Sequence, residues 1–299
     1  LTLFVVLSSR YLERPSSAFP VGEEIVVTEG APQSDITDML AARHIVRSSL
    51  YLYLYLRQHY PDEFIKAGTY RFEDPLRTSE VAEALISGKD STPLLKVTFP
   101  EGFRADRLLS YLPESLRAST TVNLAQFEGY LFPDTYFITA GTSVNDIITL
   151  LTDTFRQKVS PLAGDIAKSG YTEREVVTLA SIVEREAKDA RSKRIVAGIL
   201  ENRLAEGMPL QVDAAFDYLL GKESSELTDE DLTLDSPYNT YKYAGLPPTP
   251  ISNPGLDAIE AVLQPERTDY LYYLTDADGN FHYAKTFEEH KANKQRYLK

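Results

Sequence analysis

Between Thr172 and Asp213 the chain spells out two consecutive helices with their ends marked, and any fold must accommodate them. Thr172 followed three residues on by Glu175 is a capping box, in which each side chain satisfies a backbone N–H that the first turn leaves free. Val176, Leu179, Ala180, Val183 and Ala187 then recur at helical spacing and make an apolar stripe that must be covered. A second helical pattern, roughly Ser192 to Glu206, stops at Gly207 with Pro209 beyond it. Leu210-Gln211-Val212-Asp213 leaves as a short extended piece.

Two carboxylates close the first of these helices. Glu184 and Glu186 fall on opposite margins of the stripe, because residues two apart on a helix lie about 200° apart, so at most one can face a given cleft. Ala180 and Ser181 lie one turn before Glu184 and leave room for a ligand, whereas Ile182 and Val183 crowd Glu186. On those grounds Glu184 is expected at the cleft, with a pKa raised by partial desolvation toward that of a general acid. The alternative is that both are surface glutamates paired with Arg185, Lys188 or Arg191.

The 299 residues exceed one small core and predict two domains of ~100–200 residues. A hydrophobic share of 43% and a charged share of 25% belong to a folded protein. The net charge of −13 argues against a nucleic-acid partner, whose readers present basic surfaces. The absence of cysteine excludes thiol catalysis, disulfides and thiolate metal sites. Leu1 to Leu7 is apolar and does not begin with Met; it reads as the end of a transmembrane helix followed by a juxtamembrane linker, or else as a buried first strand.

Along the chain, Glu24–Thr28 reads as a strand, followed by a turn at Glu29-Gly30 and a helix carrying Ile36, Met39 and Leu40. The pattern of Val-Thr, then Glu-Gly, then a helix returns at Lys96–Leu112, an internal echo suggesting two related βα units. Leu50–Leu56 alternates Leu with Tyr, a strand signal inside helix-like flanks that leaves both readings open. Gly68–Phe72 reads as a strand, Ser79–Ile86 as a helix stopped by Gly88, and Asp90–Pro93 as a domain boundary. Near the C-terminus Tyr270–Leu274 and Phe281–Ala284 form a hairpin, and Thr286 with Glu289 caps a last helix.

Ser236–Gly255 is the richest loop. Pro237, Pro247, Pro248, Pro250 and Pro254 forbid a regular helix and preorganise the backbone. Tyr238, Asn239 and Tyr241 offer flat rings and an amide, as a sugar-binding groove needs; the bland reading is a loop that packs over the helices. Under the groove reading Asn239→Ala weakens turnover with little loss of stability. Asn253 is expected to cap a helix with Pro254 at its first position. The four histidines show no metal-type spacing, and no Gly-x-Ser-x-Gly or phosphate-cradling loop is present. Carboxylate acid–base chemistry beside an aromatic loop is what remains, and it points toward a glycosidic bond.

Ala180-Ser181-Ile182-Val183-Glu184-Arg185-Glu186, Asn202-Arg203-Leu204, Gly207–Asp213, Ser236–Tyr241, Gly245–Pro248 and Ile251–Gly255 together resemble the endolytic murein transglycosylases, the MltG or YceG-like family. Glu128–Thr135 matches a further motif of that family. Val212 and Ala214 stand where Thr and Pro are expected, and Thr249 where Gly is usual. The resemblance implies an α+β chain. The end of a transmembrane helix and linker would occupy 1–20, and a small LysM-like βα domain 21–92. A mixed helical and β catalytic domain with a long ordered proline- and tyrosine-rich loop would occupy 93–299, where 93–112 is able to pair with the N-terminal domain.

The implied reaction is cleavage of the MurNAc–GlcNAc bond within peptidoglycan strands to leave 1,6-anhydro ends, without cofactor or metal. Glu184 would be the acid and then the base, with Ser181, Glu186, Asn202, Gln211, Asp213, Tyr238, Asn239, Thr240 and Tyr241 holding substrate. Implied partners are peptidoglycan, its synthases and the cytoplasmic membrane, with the catalytic part on the outer side. Two alternatives stay open: a two-carboxylate hydrolase using Asp213 or Asp235, and a non-catalytic glycan-binding scaffold.

Overall fold

A computed structural model describes residues 10–89, 91–117, 121–222 and 224–298. The apolar run at Leu1–Leu7 and Asp90 of the expected boundary lie outside the described residues. No helix among the described residues is long and apolar enough to cross a membrane. The chain is mixed α and β and forms two compact units. The first runs to Val97 and includes Tyr136–Thr142; the second comprises Thr98–Thr135 and Ser143 onward.

In the first unit β1 (Glu24–Val27), α1 (Gln33–Ala42), α2 (Ser49–His59) and β2 (Gly68–Arg71) follow one another, then α3 (Thr78–Ser87) and β3 (Ser91–Thr92). β1 and β2 are antiparallel, with Ile25 opposite Tyr70, and β3 pairs antiparallel with the other edge of β2. β4 (Leu94–Thr98) pairs with β5 (Thr135–Thr139). The alternating Leu/Tyr run is helical because the core needs only its i, i+4 subset. Leu52 and Leu56 are fully covered while Leu50 and Leu54 face solvent, and Tyr51, Tyr55 and His59 line up along one face. Ser48 supplies the N-cap by accepting from the Tyr51 amide at 3.3 Å. α3 stops at Gly88 in the left-handed conformation, as its sequence predicts.

The second unit contains short α4 (Leu108–Tyr111), then α5 (Val144–Val159), α6 (Ala163–Ser169), α7 (Glu173–Glu186), α8 (Ala190–Ala205), α9 (Ala214–Leu220) and α10 (Leu256–Leu263). An antiparallel hairpin, β6 (Tyr272–Thr275) with β7 (Phe281–Ala284), and α11 (Phe287–Tyr297) complete it. The second half of the βα echo thus yields only one helical turn at α4, preceded by a 3-10 turn at Ala105–Arg107.

The Thr172/Glu175 box forms: the Glu175 amide donates to Thr172 Oγ1 at 3.3 Å and the Thr172 amide to Glu175 Oε2 at 2.7 Å. From that cap α7 runs through the centre of the unit and packs against α8, α9 and α10. Every residue from Val176 to Val183 is buried, not just one stripe. α8 passes so close to the following connection that a Cβ built on Gly198 would lie 2.3 Å from the Glu266 carbonyl oxygen. Asn253 does not cap α10. Its Oδ1 accepts from the Leu131 amide at 2.9 Å and its Nδ2 donates to the Phe103 carbonyl and to Glu128. Gly255 takes the N-cap position instead.

Candidate active site

A pocket of ≈ 1030 Å³ opens in the second unit. Glu186, the last residue of α7, lines it together with Gln211, Asp213, Tyr241, Arg203 and Tyr273. The Tyr273 hydroxyl donates to Glu186 Oε2 at 2.8 Å. Desolvation among these groups pushes the Glu186 carboxyl up to about 7, reinforced by the nearby Asp213 charge and only partly offset by the Tyr273 bond and the Ala214 amide. Asp213 Oδ1 accepts from the Tyr241 hydroxyl at 2.5 Å. Burial and this bond raise the Tyr241 phenol, which therefore stays a donor. A half-protonated acid and a side chain fixed by Tyr241 thus share one pocket wall.

Glu184 has a different environment. Its Oε1 accepts from the Lys193 ammonium at 2.8 Å and its Oε2 from the Gly255 amide at 3.0 Å. Lys193 is fully buried on α8 and also donates to both oxygens of Asp257, at 2.9 and 3.0 Å. Burial pulls the Lys193 pKa down, but the bonds to Glu184 and Asp257 outweigh it and hold it above its ordinary value. Glu101 completes the ring at 3.8 Å. Although the oxygens of Glu101, Glu184 and Asp257 gather closely enough for a metal ion, the ammonium already supplies their cation.

Where Glu184 was expected at the cleft, the glutamate that lines this pocket is Glu186, and Glu184 meets Lys193 and the Gly255 amide. The space beside Ala180 and Ser181 is real, but the chain itself fills it. The Ile251 amide donates to Ser181 Oγ at 3.0 Å, and Ser252 Oγ donates to the Ser181 carbonyl at 3.0 Å. Ser181 is consequently sealed from solvent. The opposing-margin geometry holds, since the two side chains part company.

Of the remaining residues singled out from sequence, Gln211, Asp213 and Tyr241 reach the pocket. Asn202 uses its Nδ2 on the Thr268 and Tyr270 carbonyls, at 2.8 and 3.0 Å, and so ties α8 to the strand that delivers Tyr273. Asn239 is fully buried. Its Nδ2 donates to the Leu232 and Leu234 carbonyls at 2.9 and 2.8 Å, and its Oδ1 accepts from the Tyr241 and Lys242 amides at 3.0 and 3.1 Å. Both ends of this amide are used by its own loop, which leaves none for a sugar. Thr240 Oγ1 bonds the Val212 amide and carbonyl, both at 3.1 Å. The Tyr238 hydroxyl meets Thr249 Oγ1 at 2.8 Å while its ring packs on Tyr218. Asp235 is exposed and bonded to Lys242 and Tyr243, away from the pocket.

Sequence reasoning missed Tyr273 and Arg203. Arg203 is buried on α8 and donates to the Leu271 and Leu210 carbonyls, each at 2.6 Å, with its guanidinium over the Tyr272 ring. It clamps the hairpin to the segment before Gln211, whose φ of 50° lies in the left-handed region unusual for a side-chain-bearing residue. A buried arginine inside the Asn202-Arg203-Leu204 motif could have been suspected from the apolar residues that surround it in sequence. Tyr273 carries no such signal, because it arrives from a hairpin far downstream.

The chain matches the model of the YceG-like family over residues 25–296. It is similar, at 28% identity over 305 residues, to an endolytic murein transglycosylase of Bacillus subtilis, with 92% of this chain and 84% of that protein covered. An endolytic murein transglycosylase of Streptococcus pneumoniae is 29% identical over 314 residues, covering 89% of this chain and 57% of the streptococcal protein. The chain thus spans little more than half the length of that relative. The crystal structure of a yceG-like protein from Listeria monocytogenes matches with a TM-score of 0.58 at 31% identity, covering 91% of this chain and 99% of that one. A family match that takes in both units, with Glu186, Asp213 and Tyr241 of the pocket inside it, leads to one conclusion: the chain belongs to the YceG-like family.

Proposed function

We propose that this protein is an endolytic murein transglycosylase in which Glu186, not Glu184, carries the proton. The observation behind this assignment is the Glu186 carboxyl, held up to about 7 on the wall of a sizeable pocket with Asp213 beside it. An acid that is half protonated near neutrality suits a group that must give and then take a proton. In the proposed reaction Glu186 donates its proton to the glycosidic oxygen, and the MurNAc C1–O bond breaks with its electron pair going to the departing GlcNAc hydroxyl. The MurNAc 6-hydroxyl then attacks C1, and its proton returns to the Glu186 carboxylate. No water is consumed, and the product is a 1,6-anhydro ring. Asp213, fixed by Tyr241, faces the positive charge that develops at C1.

A second reading rests on the same two carboxylates. If Asp213 activates water, the enzyme is a hydrolase. Mass spectrometry of digested peptidoglycan separates the readings: 1,6-anhydro ends support the transglycosylase, reducing ends the hydrolase, and no products a non-catalytic binder. The finer assignment also includes a LysM-like first unit that binds glycan, for which the β1-α1-α2-β2 order with antiparallel β1 and β2 is the support. It further includes anchoring at the outer face of the cytoplasmic membrane through the segment ending near Leu7, in company with a peptidoglycan synthase. Fractionation of the full-length protein tests the anchoring, and recovery of unprocessed protein in the soluble fraction would count against it.

A further inference from the structure

The sign of the charge on the pocket wall runs against that of the chain. The protein has 44 acidic and 31 basic residues, yet the side chains lining the pocket include Arg104, Arg107, Arg185, Arg203 and Lys294 against Glu186, Asp213 and Asp217. Glu186 carries only part of a charge near neutrality, so the wall is cationic. Two of the arginines meet at Asp217. Arg104 Nη1 donates to the Asp217 carbonyl at 2.6 Å, and Arg185 Nη2 donates to the Asp217 carboxylate at 2.8 Å. Arg104 is also paired with Asp106, at 2.7 Å, and lies over the Tyr218 ring. Arg107 differs from these two. Its exposed side chain lines the same pocket and, among the described residues, has no carboxylate partner. A carboxylate on a bound ligand is the partner that suits such a group.

We infer that the Arg107 end of the pocket recognises the carboxylates of the stem peptides borne by muramic acid, so that the enzyme selects strands whose stem peptides carry free carboxylates over strands whose peptide carboxylates are amidated. This rests on the reading of the pocket as a peptidoglycan site and adds a specificity determinant to it. A planar guanidinium with free donors matches a carboxylate bidentately. Arg104 and Arg185, tied to Asp217, hold the surrounding wall positive and in place. Such a determinant biases an acidic protein toward the anionic part of its polymer, which its overall charge would otherwise repel.

The test uses the full chain carrying Glu186→Gln, so that strands are bound and not cut, and fluorescently labelled stem-bearing glycan strands of one length, with the stem-peptide carboxylates either free or converted to amides. Strands with free carboxylates should bind roughly fivefold more tightly, the upper end for an exposed ion pair, with the difference shrinking as salt is raised. Arg107→Ala should erase most of that difference and Arg107→Lys should restore part of it. In the active protein the same selectivity should appear in KM rather than kcat. Equal affinities for the two strands overturn the inference, as does a preference that survives Arg107→Ala, or failure to bind either strand. Lack of 1,6-anhydro ends from the active protein would instead sink the transglycosylase reading alone, because the binding comparison does not depend on cleavage.

Discussion

The Tyr273 hydroxyl on β6 donates its proton to Glu186 at the end of α7, at 2.8 Å, joining the hairpin to the acid it serves. That bond favours the ionised carboxylate and so opposes the desolvation that raises it. The proposed acid must begin protonated, so kcat/KM should fall as pH rises through about 7. Tyr273→Phe removes the opposing bond and should move that alkaline limb upward by on the order of one pH unit. A limb that stays in place, or moves down, in pH–rate profiles of the two proteins would detach Glu186 from the proton transfer.

The two glutamates of α7 should separate cleanly on substitution. Glu186→Gln keeps the shape but not the proton, and turnover should drop by ~10²–10⁴-fold or more at a nearly unchanged unfolding midpoint. Glu184→Ala should retain the chemistry in its folded fraction but cost about 3 kcal/mol in urea denaturation, because it strips a partner from the buried Lys193 ammonium. Full activity in folded Glu186→Gln would return the assignment to Glu184.

Asn239→Ala should act on stability before activity. Four hydrogen bonds inside the loop end on this one amide, and leaving their partners unmatched should cost on the order of 2–4 kcal/mol. A variant as stable as the parent but slow would instead restore Asn239 to the substrate groove.

Glu128 provides a test of stability against pH. Burial holds its carboxyl up to about 7, while the Ala105 amide, which donates to both its oxygens at 3.1 Å, pulls the other way. Because the folded pKa lies above the unfolded one, its contribution is complete below the ordinary carboxylate range and is lost as pH rises through about 7. The loss should approach about 3 kcal/mol by pH 8, and Glu128→Gln should flatten that part of the profile. Parallel profiles for the two proteins would show that Glu128 is already ionised at low pH.

Much of the local grammar was legible in the sequence: the Thr172/Glu175 box, the glycine stops after α3 and α8, and the hairpin carrying Tyr273 all stand where their residues predict. Periodicity gave α7 a stripe with two margins, whereas α8, α9 and α10 cover it on every side from Val176 to Val183. Under that condition small residues mark where another segment packs, and Ile251 and Ser252 pack there. Asn239 and Asn202 spend their amides on backbone carbonyls for a related reason. An amide in an irregular segment bonds backbone carbonyls as readily as sugar hydroxyls, and only three-dimensional placement tells which.

Lys193 and Arg203 sit equally spaced on either side of Gly198, on the same helix, and each governs one of the two carboxyl environments. The helix therefore behaves as a balance beam with a cation at each end, and its fulcrum is the Glu266 carbonyl, where not even a methyl group fits. Because the obstacle is backbone and not a side chain that could swing aside, Gly198→Ala would act on the beam itself. It would disturb the Glu184 ring through Lys193 and, through Arg203, the strained approach to Gln211. Drift at position 198 is thus limited by alignment rather than by volume, and a larger residue there would have to arrive with a reshaped connection after Gln264.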